Sequence, residues 1–141
     1  GVIEEVLRDA PEMTEALVLS AQLHERTANP LAAVRQLDQV LEREPKNIDA
    51  LTLRGWILVR IDEPDVQLEG IRSLDEAISL QPAAYDPYIF RGFVARELQN
   101  DLILSIQMYE MALERDPPDA MRAELTRIIE EMSSELQPTT E

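Results

Sequence analysis

Apolar residues recur along most of this chain at the three- and four-residue steps of an amphipathic helix. They stand at positions 31, 34, 37, 40 and 41, and again at positions 125, 128, 129, 132 and 136. A period of about 3.6 residues gathers each set on one side of a helix. No window shows the alternation or the β-branched runs typical of a strand. The pattern therefore predicts an all-α chain.

Four prolines follow the apolar ends of predicted helices, at Pro11, Pro45, Pro82 and Pro117. Their separations are 34, 37 and 35 residues. Two of these ends are nearly identical, Leu41-Glu42-Arg43-Glu44-Pro45 and Leu113-Glu114-Arg115-Asp116-Pro117. A recurring separation of this size indicates a repeated helix–turn–helix unit.

Each unit combines small residues, large apolar residues and a closing proline in a pattern that resembles the tetratricopeptide repeat. The matching positions are Leu17, Ser20, Ala21, His24, Ala33, Leu37, Val40 and Pro45 in the first unit, Leu51, Arg54, Gly55, Leu58, Gly70, Leu74, Ala77 and Pro82 in the second, and Tyr88, Arg91, Gly92, Ala95, Ser105, Tyr109, Ala112 and Pro117 in the third. The sequence departs from the family where Ser20, Arg54 and Arg91 replace a leucine.

The resemblance implies one domain over residues 2–136, an all-α right-handed α-solenoid of helix–turn–helix repeats with a C-terminal capping helix. It would comprise a partial repeat at 2–11, full repeats at 12–45, 46–82 and 83–117, and the capping helix at 119–136. About seven full helices should follow a partial one. Asn29, Asp86 and Asp119 are predicted to cap helices, and residues 137–141 should be a disordered tail.

The chain is strongly acidic, with a formal net charge of −15 from 28 acidic and 13 basic residues. Such a surface would repel nucleic acids and anionic membranes, but it would attract a basic partner. No apolar run approaches the roughly 18 residues that span a bilayer. We therefore predict no nucleic-acid partner and no direct membrane insertion.

The chain begins at Gly1 in the middle of a helical pattern, which indicates a segment of a longer protein. The sequence contains no cysteine, so it has no disulfides, but this does not fix the compartment. We favour a cytoplasmic location and leave open a soluble domain of a membrane-anchored protein.

Residues that could carry catalysis are scarce. His24 is the only histidine, and the four glycines form no phosphate-binding loop. His24 stands at the repeat's aromatic packing position, so packing or a surface location is a better interpretation than a metal ligand or a base. We therefore predict no enzyme, no cofactor and no metal site.

The resemblance implies a recognition groove, because the first helix of each repeat lines a concave face in this family. The family's groove positions fall here on Val18, Gln22, Glu25, Asp49, Thr52, Trp56, Val59, Asp86, Ile89, Phe93 and Arg96. The basic and amide residues with which some relatives bind a C-terminal carboxylate are absent. What remains is an apolar strip around Trp56 and Phe93, framed by acids. The alternative for Trp56 is that it packs inside its repeat or against a helix upstream of this sequence.

The leading hypothesis is a non-enzymatic scaffold that binds a protein or peptide with apolar anchors and basic flanks. The first alternative is a self-association module, which would form a homodimer through Ile3, Val6 and Leu7 at the N-terminal end. The second is an extracytoplasmic repeat domain of a membrane-anchored biogenesis factor, similar to those of cytochrome c maturation.

Overall fold

The computed structural model of the protein describes residues 29–137, whose regular secondary structure is entirely helical. Its six helices are α1 Pro30–Arg43, α2 Ile48–Val59, α3 Pro64–Leu80, α4 Asp86–Glu97, α5 Leu102–Glu114 and α6 Asp119–Leu136. The all-α prediction is confirmed. The partial repeat at 2–11, the first helix of repeat one, His24 and the predicted dimer contacts Ile3, Val6 and Leu7 lie outside the described residues.

The chain divides between Leu80 and Gln81 into two compact units. In the first unit α2 packs against α1 and α3, and in the second unit α5 packs against α4 and α6. Helices adjacent in sequence are thus neighbours within each unit, as expected of helix–turn–helix repeats. Pro45, Pro82 and Pro117 lie in the loops that follow α1, α3 and α5.

The contact between α2 and α3 in the first unit depends on two glycines. A Cβ added to Gly55 would lie 2.7 Å from Leu74 Cγ and 2.8 Å from the Gly70 carbonyl oxygen. A Cβ added to Gly70 would lie 2.7 Å from Val59 Cγ1 and 2.8 Å from the Gly55 carbonyl oxygen. The two helix backbones are therefore in direct contact, and Leu74 and Val59 are buried on either side of this contact.

The second unit repeats this close approach with different residues. A Cβ on Gly92 of α4 would lie 2.5 Å from Tyr109 Cε1 of α5. The hydroxyl of Ser105, which is fully buried, donates to the Gly92 carbonyl oxygen at 2.7 Å. α6 packs against α5 and contributes the buried side chains of Leu125 and Met132. The small-residue positions of the predicted repeat therefore mark real helix contacts.

Only some of the helices begin with a side chain that caps the first turn by a hydrogen bond. Asn47 accepts from the Ala50 amide at 2.9 Å, and Asp101 accepts from the Leu104 amide at 3.0 Å, as side-chain caps should. Asn29 occupies the cap position of α1, but its side chain makes no capping hydrogen bond.

The predicted caps Asp86 and Asp119 are wrong by one residue. They are the first helical residues of α4 and α6, after Tyr85 and Pro118. Their carboxylates still lie at the positive ends of the helix dipoles, where they are stabilising.

Candidate functional site

The four predicted groove positions of repeat three form one face of α4, which we call the α4 face. Asp86, Ile89, Phe93 and Arg96 follow at three- and four-residue steps, and each is at least partly exposed. Val94, on the other side of the helix, is fully buried. Phe93 is 38% exposed, so this face presents an accessible aromatic ring to solvent.

Arg96 holds the C-terminal end of this face to the capping helix α6. Its Nη2 lies 3.6 Å from Oε1 of both Glu131 and Glu135, and its Nε lies 3.9 Å from Glu97 Oε1. Glu131 also contacts Arg127, which pairs with Glu124, so two guanidinium groups and four carboxylates give this group a net charge of −2. The sequence predicts Arg96 as a groove position, and its surroundings in the structure are acidic overall.

The predicted positions on α2 are less accessible than those on α4. Asp49 is exposed, whereas Trp56 is partly buried. The guanidinium carbon of Arg60 lies 5.2 Å from the centroid of the Trp56 ring, a cation–π distance. Trp56 thus combines intramolecular contact with some remaining exposure.

Thr52 and Val59 are both buried, with 6% and 2% of their surface exposed. Val59 contacts Gly70 where α2 and α3 approach each other. These two residues therefore offer little surface to a partner in the structure described. The remaining predicted positions, Val18, Gln22 and Glu25, lie outside residues 29–137.

Arg54, which replaces the leucine of the repeat pattern, connects three helices. Its Nε donates to Asp38 Oδ1 of α1 at 2.9 Å. Its Nη1 donates to Ser73 Oγ at 2.5 Å and to Glu69 Oε1 at 3.3 Å, both on α3. A cavity of about 260 Å³ lies beside it. Because three side chains already share the guanidinium, we interpret Arg54 as an internal link.

The equivalent residue of repeat three, Arg91, is also used inside the fold. It is 7% exposed, and its Nη1 donates to Gln99 Oε1 at 2.7 Å. In the sequence both arginines are visible only as departures from the family pattern. An arginine at an apolar repeat position, with acids on the neighbouring helices, was the signal that could have revealed the Arg54 link.

Other kinds of site find no support within the described part of the chain. No group of three or more His, Cys, Asp or Glu side chains between residues 29 and 137 is placed to hold a metal ion. None of the six helices there combines the length and apolar character needed to cross a membrane.

Comparison with known proteins places this geometry in a fold family. The NMR structure of the first TPR domain of the human RPAP3 protein matches 89% of this chain and 96% of its own, with a TM-score of 0.73 and 19% identity. Two crystal structures of MamA match 94% and 99% of this chain and 83% and 85% of theirs, with TM-scores of 0.67 and 0.64 and 19% identity. No protein-family model and no curated protein matches the chain. The chain therefore has the tetratricopeptide-repeat fold that its small residues and prolines predicted.

Proposed function

We propose that this chain is a protein-interaction module that binds a peptide or helical segment on the α4 face. The observation that carries the proposal is Phe93, an aromatic residue that is 38% exposed on the first helix of a repeat. Aromatic side chains are favoured at binding hot spots because they bury a large area with few rotatable bonds. Ile89, one turn away and partly exposed, extends the apolar surface.

The exposed area of Phe93 determines how much free energy a partner can gain by burying this side chain. A phenylalanine buries roughly 200 Å² in a core, so the exposed fraction corresponds to about 80 Å² and to about 2 kcal/mol on complete burial. Association and ordering costs exceed this value. A partner therefore needs further anchors beside Phe93 to reach micromolar affinity, which corresponds to about −8 kcal/mol.

Charge selects the class of partner. Arg96, Arg127 and the four carboxylates that contact them carry a net charge of −2 at one end of the face, and the whole chain carries −15. Lys or Arg beside the apolar anchor would gain attraction from these groups, mainly as faster association, and salt would screen it. We infer a partner segment with an apolar anchor and basic flanks.

The experiment is panning of a displayed random-peptide library on the wild-type protein, followed by calorimetry of the selected peptides. We expect an aromatic or aliphatic anchor with adjacent Lys or Arg among the selected sequences. Phe93→Ala should weaken their binding about tenfold, the equivalent of about 1.4 kcal/mol, while the helical circular dichroism is preserved.

The matched control is Leu68→Ala on α3, which removes an aliphatic residue of comparable exposure, 46%, from the second helix of a repeat. It should leave binding unchanged. Peptides that bind Phe93→Ala as tightly as the wild type, or selected sequences rich in Asp and Glu, would refute the proposal.

A further inference from the structure

A second cleft lies in the second unit, where the turn between α4 and α5 meets the last turn of α6. Its volume is about 460 Å³, and its lining is Gln99, Asn100, Asp101, Leu102, Ile103 and Leu136. We call it the C-terminal cleft. Ile103 is 61% exposed and Leu136 is 45% exposed, so two aliphatic side chains face solvent at its wall.

Ile103 occupies a recurring position of the repeat. It stands two residues before the small residue Ser105, as Leu31 stands before Ala33 and Leu68 before Gly70. Leu31, at 64% exposure, is as accessible as Ile103 and is likewise the second residue of its helix. What distinguishes Ile103 is the cleft that it shares with Leu136 of the capping helix.

The acidic group around Arg96 connects this cleft to the α4 face. Glu135, which contacts Arg96, directly precedes Leu136, and Gln99 follows Phe93 by six residues. α4 ends at Glu97, four residues or about 6 Å beyond Phe93 along the helix axis, and the first lining residue of the cleft, Gln99, follows two residues later. Since two extended residues span at most about 7 Å, the cleft begins within about 13 Å of Phe93. Two residues seven positions apart on a partner helix are separated by about 10.5 Å, which lies within this reach.

We propose that the C-terminal cleft is the second anchor site for the partner that contacts Phe93. The occupant is an amphipathic helix with one aliphatic residue two turns from its first anchor and with Lys or Arg between the two. The inference rests on the proposed function. Charge decides the class of occupant, because Glu97, Glu131 and Glu135 outnumber Arg96 and Arg127, the two arginines that pair with them. A second copy, also at −15, is disfavoured.

The probes are two fluorescein-labelled, alanine-based helical peptides. The first carries two leucines seven residues apart with lysines between them, and the second replaces the distal leucine with alanine. Fluorescence anisotropy measures their binding to the wild type and to Phe93→Ala, Ile103→Ser, Leu136→Ser and Leu31→Ser. Leu31→Ser is the matched control at the equivalent repeat position.

We expect the two-leucine peptide to bind about fivefold more tightly than the one-leucine peptide. Ile103→Ser and Leu136→Ser should each remove most of this difference without changing the binding of the one-leucine peptide. Leu31→Ser should have no effect, whereas Phe93→Ala should weaken both peptides.

Three results would overturn the second anchor. The first is that the two-leucine peptide does not bind. The second is that the two peptides bind the wild type with equal affinity. The third is that Ile103→Ser weakens the binding of both peptides equally. If Phe93→Ala still weakens binding in the last two cases, only the second anchor fails. If Phe93→Ala leaves both peptides unaffected, the proposed function fails together with it.

Discussion

Gly55→Ala tests the closest backbone contact in the first unit. In an ordinary exposed helix this change is stabilising, because alanine is more favourable than glycine by about 1 kcal/mol. Here the new Cβ would lie 2.7 Å from Leu74 Cγ and 2.8 Å from the Gly70 carbonyl oxygen. We expect the sign of the effect to reverse.

The size of the effect follows from the distances. Carbon atoms in contact are separated by about 3.5–4.0 Å, so α2 and α3 would have to move apart by roughly 1 Å. Overpacking of this kind costs about 1–3 kcal/mol, and the upper end applies because one of the colliding atoms belongs to the backbone. After the gain in helix propensity, Gly55→Ala should lower the free energy of unfolding by about 2 kcal/mol.

Urea denaturation followed by circular dichroism measures this loss. With a slope of about 2 kcal/mol per molar urea, the midpoint should fall by about 1 M while the slope stays constant. Adding Leu74→Ala should not relieve the collision with Gly70.

By contrast, the new Cβ of Gly92→Ala would collide with the Tyr109 ring, so the loss of stability should be smaller in a Tyr109→Leu background.

An unchanged or raised midpoint for Gly55→Ala would show that the two helices are not in backbone contact. Full relief by Leu74→Ala would show that the collision is with the side chain alone. Either result would contradict a backbone collision between α2 and α3 at Gly55 and Gly70.

Two further predictions concern buried polar groups. Thr52 Oγ1 is buried without a hydrogen-bond partner among residues 29–137, so Thr52→Val should raise the free energy of unfolding by about 1 kcal/mol in urea titrations, and a clear loss would contradict this. Burial raises the pKa of Tyr109 above its ordinary 10.0. The unfolded chain therefore loses this proton first, so the stability contribution is constant below pH 10.0 and falls above it. Urea midpoints should decline less steeply for Tyr109→Phe than for the wild type in that range, and equal slopes would count against the reasoning.

The fold was predictable because its signals are local. Gly55 and Gly92 lie where helices must approach closely, and the spacing of Pro82 and Pro117 marks the ends of successive repeats. Such requirements are met within a few turns of the chain, so periodicity and small residues reveal them. The cap predictions at Asp86 and Asp119 missed by one residue, since helix boundaries are the least constrained feature of the pattern.

The candidate site was predictable only in part, because accessibility depends on contacts distant in sequence. Helical spacing places Ile89 and Phe93 on one face of α4, and both are at least partly exposed. The same spacing grouped Thr52 with Val59, which are buried, and nothing in the pattern distinguished the two cases. The pairing of Arg96 with Glu131 and Glu135 joins residues more than thirty positions apart, so sequence periodicity alone could not indicate it.

The Arg54 link has a consequence for the order of the repeats. Asp38 comes from one repeat, whereas Arg54, Glu69 and Ser73 come from the next. Each repeat contacts only its neighbours, so a repeat joined through apolar side chains alone requires only an apolar surface beside it. Here a preceding module without a carboxylate at the place of Asp38 would leave a partly buried guanidinium short of one acceptor. The ion pair between Asp38 and Arg54 therefore makes the two repeats dependent on each other. An engineered protein that rearranges repeats should keep these two as neighbours in the same order.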